Sequence, residues 1–149
     1  FKLFSYGLLH DIGIALLDAC TPGLLDMAAE KVLTGLHQVI AERLVFGGIT
    51  HADIGAWLCR KWNIREDITS IVEFHHTPFM AQNTTDEVKI VYVADIISTE
   101  YYEKLLGLNI NHEISRKIMD HLGITDDDRL EIAEALPQEV EKIHWLFTE

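Results

Sequence analysis

Apolar residues recur along this chain at intervals of three and four rather than two, and that period belongs to helices. The first run, about Lys2 to Ala19, is apolar nearly all round, which assigns it to a core; it stops at Thr21-Pro22-Gly23. From Leu24 to about Phe46, the positions Leu25, Ala28, Val32, Leu36, Val39, Ile40 and Leu44 trace one stripe of a long amphipathic helix, with Gly47-Gly48 as its stop. Thr50 is a good N-cap for a helix over about His51 to Trp62, and Asn63-Ile64-Arg65-Glu66 opens another that reaches His75-His76 before Thr77-Pro78 breaks it. Thr85-Asp86-Glu87 begins a strongly apolar helix to about Leu106, closed by Gly107. Further helices are predicted over about Asn111 to Leu122, over Thr125 to Leu136 and from Pro137 to about Phe147. No stretch alternates as a half-buried strand does and no repeat is visible, so the expected fold class is all-α, a compact multi-helix bundle.

Composition narrows the partners. At 149 residues and 48% hydrophobic content the chain is the size of one domain with a real core, and residues 1–149 are read as one. Its 24 acidic against 12 basic residues, a net charge of −12, argue against a nucleic-acid or anionic-membrane surface and favour cations. Cys20 and Cys59 lie in apolar helical contexts without metal-type spacing and read as reduced core residues of a cytoplasmic protein. No signal peptide is visible and no apolar run approaches the roughly 20 residues of a membrane span. Because Phe1 already stands inside a helical pattern, the expectation is that this is the C-terminal portion of a larger protein.

Candidate chemistry lies where charge interrupts the apolar pattern. His10-Asp11 sits within Gly7-Leu8-Leu9-His10-Asp11-Ile12-Gly13, and an unpartnered buried carboxylate costs several kcal/mol. His51 precedes Ile54 by three residues and Leu58 by seven, and His75 and His76 follow Ile71 and Val72 by four; all three imidazoles fall on buried stripes. Asp95 is the one charge in Ile90-Val91-Tyr92-Val93-Ala94-Asp95-Ile96-Ile97. Imidazoles and carboxylates from several helices suit zinc, iron, manganese or nickel, without identifying which. The alternative is a set of core groups that hydrogen-bond one another without metal. Glu42 reads either as an orienter of His51 or as a solvated helix residue, and His37, His112, His121 and His144 read as surface or capping residues. Trp57, Trp62, Phe74 and Tyr92 read as core.

The ordered series Gly7-Leu8-Leu9-His10-Asp11-Ile12-Gly13, Glu42, Phe46-Gly47, His51-Ala52-Asp53-Ile54-Gly55, Glu73-Phe74-His75-His76-Thr77-Pro78 and Val93-Ala94-Asp95 resembles the HD superfamily of metal-dependent phosphohydrolases, and within it the HDOD domain of bacterial signal transduction. The resemblance implies that His10, Asp11 and Asp95 match the main metal ligands, that His51, His75 and His76 match the extra ligands of members holding several metals, and that Asp11 bridges metals or orients water. In active members the metals activate water against phosphorus and neutralise the charge that develops there. Three departures stand out: nothing before His10 supplies the superfamily's first histidine, Ile14 stands where active relatives often carry lysine, and Thr77-Pro78-Phe79 replaces a Gly-Tyr-Pro signature. The resemblance therefore implies a regulatory output module that contacts other signalling domains or proteins and binds a nucleotide at most. The alternative is a metal-dependent phosphohydrolase acting on a nucleotide or cyclic nucleotide.

Overall fold

A computed structural model describes residues 2–108, 110 and 112–144. Among them are helices and turns and no strand, as the all-α expectation requires: α1 (Lys2–Leu9), α2 (Ile12–Cys20), α3 (Pro22–Leu33), α4 (Gln38–Val45), α5 (His51–Lys61), α6 (Glu66–Phe74), a 3-10 turn at Pro78–Met80, α7 (Thr85–Leu105), α8 (Arg116–Leu122) and α9 (Asp126–His144). The chain divides into two compact units, Phe1–Tyr92 and Val93–Glu149, with the division inside α7.

Several predicted helices differ from the observed ones. The first run is two helices, because the chain turns at His10-Asp11; Asp11 occupies the N-cap of α2, yet its side chain makes no cap hydrogen bond there. The second is also two, because Gly35 takes the left-handed backbone at φ +97°, so the apolar stripe that stays in phase on either side belongs to separate helices. Pro137, predicted to start a helix, lies inside α9. It forfeits one backbone hydrogen bond, and the strong helix formers around it, Ala133, Glu134, Ala135 and Gln138, carry the helix through. Asn111 and Phe147 lie outside the described residues, but the helix predicted from about Asn111 starts only at Arg116, residues 112–115 being irregular.

The first run is also less buried than its composition predicts. Tyr6 is buried in α1 and Leu17 in α2, while Leu3, Phe4 and Leu8 are exposed. Against expectation, Lys2–Cys20 has the length and apolar composition of a membrane span. The turn at His10-Asp11 interrupts it, and Tyr6 at 2% exposure joins the core of unit 1, with Ile71, Ala81, Val88 and Val91. Tyr6 Oη donates to Asp67 Oδ2 at 2.8 Å, which ties α1 to the first turn of α6. Cys59 is buried as expected, but Cys20 is exposed. Trp57 and Trp62, expected in the core, are 55% and 64% exposed. The ammonium of Lys61 sits over the Trp57 ring at 4.9 Å. A large ring packed over by a long cationic side chain needs no core position.

What positions the helices of unit 1 is a backbone contact. A Cβ on Gly13 of α2 would lie 1.9 Å from the carbonyl oxygen of His51 and 2.9 Å from the nitrogen of Gly55, and a Cβ on Gly55 would lie 2.6 Å from Val72 Cγ1. α2 therefore crosses α5 at a distance only glycine permits, with α6 against the same point.

In the second unit Val93, Ile97, Ile114, Ile118 and Met119 are buried. Glu100 of α7 accepts from the His112 backbone N–H at 3.0 Å and from Arg129 of α9 at 2.7 Å. His112, expected at the surface, is half-buried and its Nε2 lies 2.7 Å from Glu103 Oε2. Thr125 caps α9, sharing Asp128 Oδ2 through its N–H at 2.8 Å and its hydroxyl at 2.6 Å.

The crossing predicts that Gly13→Ala lowers stability by about 3 kcal/mol, the upper end of overpacking costs. Gly7→Ala, at a helical position with nothing within 4 Å of the added methyl, stabilises by about 0.5–1 kcal/mol. Denaturant midpoints decide; two variants of equal stability would remove the close contact from the account.

Candidate metal centre

Four elements deliver the candidate ligands. Thr50 and Asp53 form a reciprocal capping box that fixes the start of α5, with Thr50 N–H to Asp53 Oδ2 at 2.8 Å, and so holds His51, 0% exposed, at the first helical position. Behind it stands Glu42 of α4, 1% exposed. Its carboxylate accepts from the His51 backbone N–H at 2.9 Å, from His51 Nδ1 at 2.7 Å and from Gln38 Nε2 at 3.0 Å. Glu42 is thus the orienter of His51 rather than a solvated residue. His75 and His76 follow the last turn of α6; His75 is fully buried and its Nδ1 donates to the Val72 carbonyl at 2.9 Å. His10 Nδ1 donates to the Gly7 carbonyl at 2.7 Å.

In His10, His51 and His75, then, Nδ1 faces an oxygen that can only accept, which assigns the proton to Nδ1 and the lone pair to Nε2 in the neutral ring. Those lone pairs converge. His51 Nε2 lies 3.2 Å from His75 Nε2, 3.2 Å from His76 Nε2 and 3.2 Å from Asp11 Oδ1, and His75 Nε2 lies 3.4 Å from Asp11 Oδ1. All four ligand atoms fall within 4.8 Å of one another. A tetrahedral ion with bonds of about 2.0–2.1 Å separates its ligand atoms by about 3.3–3.4 Å, and these four pairs approach that spacing. Asp11 turns its other oxygen, Oδ2, to His10 Nε2 at 3.2 Å.

Without a cation the cluster is held by protons. Burial alone would raise Asp11, but hydrogen bonds from His10, His51 and His75 outweigh it and hold its carboxyl far below the usual range. Glu42 is likewise lowered, burial being overcome by its bonds to His51 and Gln38. For His51, burial favours the neutral ring, but Asp11 on one side and Glu42 on the other push its pKa up to about 9.

Of the residues singled out from the sequence, Asp11, His51, His75 and His76 come together, His10 stands beside Asp11, and Glu42 stands behind His51. Asp95 lies on α7 in the second unit, where Thr99 Oγ1 donates to its Oδ1 at 3.5 Å. One neighbour was not anticipated. His37, expected as a surface or capping residue, is the N-cap of α4: it accepts the Val39 N–H at 3.4 Å and also sets its ring edge to face against His76, with centroids 6.4 Å apart. The signal was Gly35 two residues earlier, a helix break that makes His37 the start of α4. The His144 side chain lies outside the described residues.

Gathering histidine and aspartate donors from separate helices is how helix bundles build metal sites. The chain belongs to the HDOD domain family, whose profile matches residues 2–78, just over half of it. A solved structure from Shewanella amazonensis SB2B, of a protein provisionally named a phosphohydrolase, superposes with a TM-score of 0.62 over 96% of this chain at 20% identity, which shows shared fold. This chain covers 50% of that one. An uncharacterized protein of Treponema pallidum is 30% identical over 78 residues, 47% of this chain and 14% of its own length.

The shifts predict a pH profile for metal-free protein. His51 is raised from 6.5 to about 9, so its contribution is complete below pH 6.5 and disappears as pH rises through 9, on the order of 3 kcal/mol. Asp11 and Glu42 are lowered from 3.8 and 4.5, so their contributions are present above those values and fade as pH falls below them. Thermal unfolding by circular dichroism should show a falling alkaline limb that His51→Gln flattens. Equal melting temperatures at pH 6 and 9.5 for the unsubstituted chain would contradict it.

Proposed function

We propose that this chain is a regulatory output module of bacterial signal transduction whose Asp11, His51, His75 and His76 hold one divalent transition metal as a closed, non-hydrolytic centre. The observation that carries the reading is the meeting of three Nε2 atoms and a carboxylate oxygen with 3.2–3.4 Å between neighbours. Two of the rings have Nδ1 anchored, His51 on Glu42 and His75 on Val72. Lone pairs at that separation repel unless positive charge lies among them. A proton on His51 balances one of the two carboxylates, Asp11 and Glu42; a divalent cation balances both. Such an ion would supply cross-linking of α2, α5 and the end of α6.

Four protein ligands distinguish structural from hydrolytic ions, since a hydrolytic ion keeps one position for water. All four come from Phe1–Tyr92, so loading needs neither Asp95 nor an additional histidine upstream. The departures in sequence agree with this: Ile14 offers no cation to a phosphate. The reading carries with it a cytoplasmic location and other signalling domains as partners, and a net charge of −12 disfavours nucleic acid and anionic membrane. A second reading, a metal-dependent phosphohydrolase acting on a nucleotide or cyclic nucleotide, is favoured by one observation. Asp11 Oδ2 is turned toward His10 and the side chain is 40% exposed, so the carboxylate can serve a second ion through His10.

Purified protein should take up one zinc per chain by calorimetry and elemental analysis, His75→Gln should weaken binding about 100-fold, and no phosphoester should turn over. Loaded protein that hydrolysed nucleotides or phosphodiesters at enzymatic rates, with Asp11→Ala abolishing the activity, would replace the first reading by the second. Absence of metal after reconstitution would exclude both.

A further inference from the structure

α4 is attached to unit 1 in an unusual way. Only Ala41 and Glu42 of its residues are buried, while Ile40 and Leu44 are 55% and 63% exposed, and none of its residues belongs to the apolar core around Tyr6 and Ile71. Its anchor to α5 is the Glu42 carboxylate, which takes both the backbone N–H and Nδ1 of His51. At its N-terminus His37 caps the helix and faces His76. Left-handed glycines flank it, Gly35 at φ +97° on one side and Gly47 and Gly48 at +71° and +99° on the other, each with open space around it. α4 packs against α3, but its tie to α5 is this hydrogen-bonded pair, so a short helix between such joints can loosen from α5 and return.

We infer that α4 is the element through which the state of the His/Asp cluster is transmitted: metal at His51 Nε2 docks α4 through Nδ1–H and Glu42, and without metal α4 loosens about its flanking glycines. This rests on the metal reading above. A ring bound through Nε2 must keep its proton on Nδ1, where the acceptor is Glu42, so binding and docking favour each other and the coupling is reciprocal. The face that α4 carries, Ile40 and Leu44, is thereby ordered or released according to occupancy of a site it does not itself ligate.

The test is hydrogen exchange by mass spectrometry on the whole chain, with and without saturating zinc, with zinc stoichiometry measured in parallel. Zinc should slow exchange at residues 38–45 at least tenfold and leave residues 126–144 unchanged; Glu42→Gln at saturating zinc should remove the effect. Should Glu42→Gln fail to fold, Leu44→Gly, which weakens the helix at an exposed position, should lower zinc affinity three- to fivefold through the same coupling. One zinc bound with residues 38–45 changed less than twofold, protection retained in Glu42→Gln, or affinity unmoved in Leu44→Gly would overturn the coupling while leaving the metal centre intact. No zinc bound would overturn both.

Discussion

The contact of α2 with α5 at Gly13 and Gly55 sets the positions of nearly everything chemical in the first unit. A Cβ at either glycine would meet backbone or the Val72 side chain at 1.9–2.9 Å, so the two helices cross with their backbones in touch. Asp11 lies two residues before one glycine and His51 one turn before the other, which brings Oδ1 to within 3.2 Å of Nε2. Val72, which packs against Gly55, also supplies the carbonyl that orients His75. One close approach thus fixes three donors on three elements, and side chains of any size at the crossing would spread them apart.

Electrostatics gives the cluster its character. Asp11 faces it from the half-exposed side and Glu42 from the buried side, with His51 between and both carboxylates drawn far into their ionised form. The His51 and His75 imidazoles offer lone pairs inward because their outward nitrogens are committed to the Glu42 carboxylate and the Val72 carbonyl. A site built this way accepts positive charge and resists anything else. It joins α2, α5 and α6 at the close crossing, while α4, packed on α3, reaches α5 through the polar Glu42–His51 pair.

Much of this was legible before any coordinate. Thr50 as a cap, the helix ends at Gly107 and Gly123, the inward-facing stripes that carry His51 and His75, and the family all follow from local residue patterns. What escaped the pattern did so for physical reasons. Gly35 breaks a helix whose stripe stays in phase across it, so periodicity could not see the joint that makes α4 an element of its own. The apolar run Lys2–Cys20 reads as core by composition, but exposure depends on which neighbours are present, and Leu3, Phe4 and Leu8 find none in the described structure. Trp57 and Trp62 fail in the same way.

By itself the sequence determined the helical class, the HDOD family and the histidines and carboxylates set on buried stripes, because capping, turn chemistry and the spacing of buried polar residues are local properties of a chain. Only the tertiary structure decided that Glu42 belongs to His51, that His37 borders His76, and that Asp11 closes a four-donor set within the first unit. Those facts are distances of about 3 to 6 Å between residues as much as 64 positions apart in the chain, such as Asp11 and His75. Helix crossing, not sequence spacing, sets such distances.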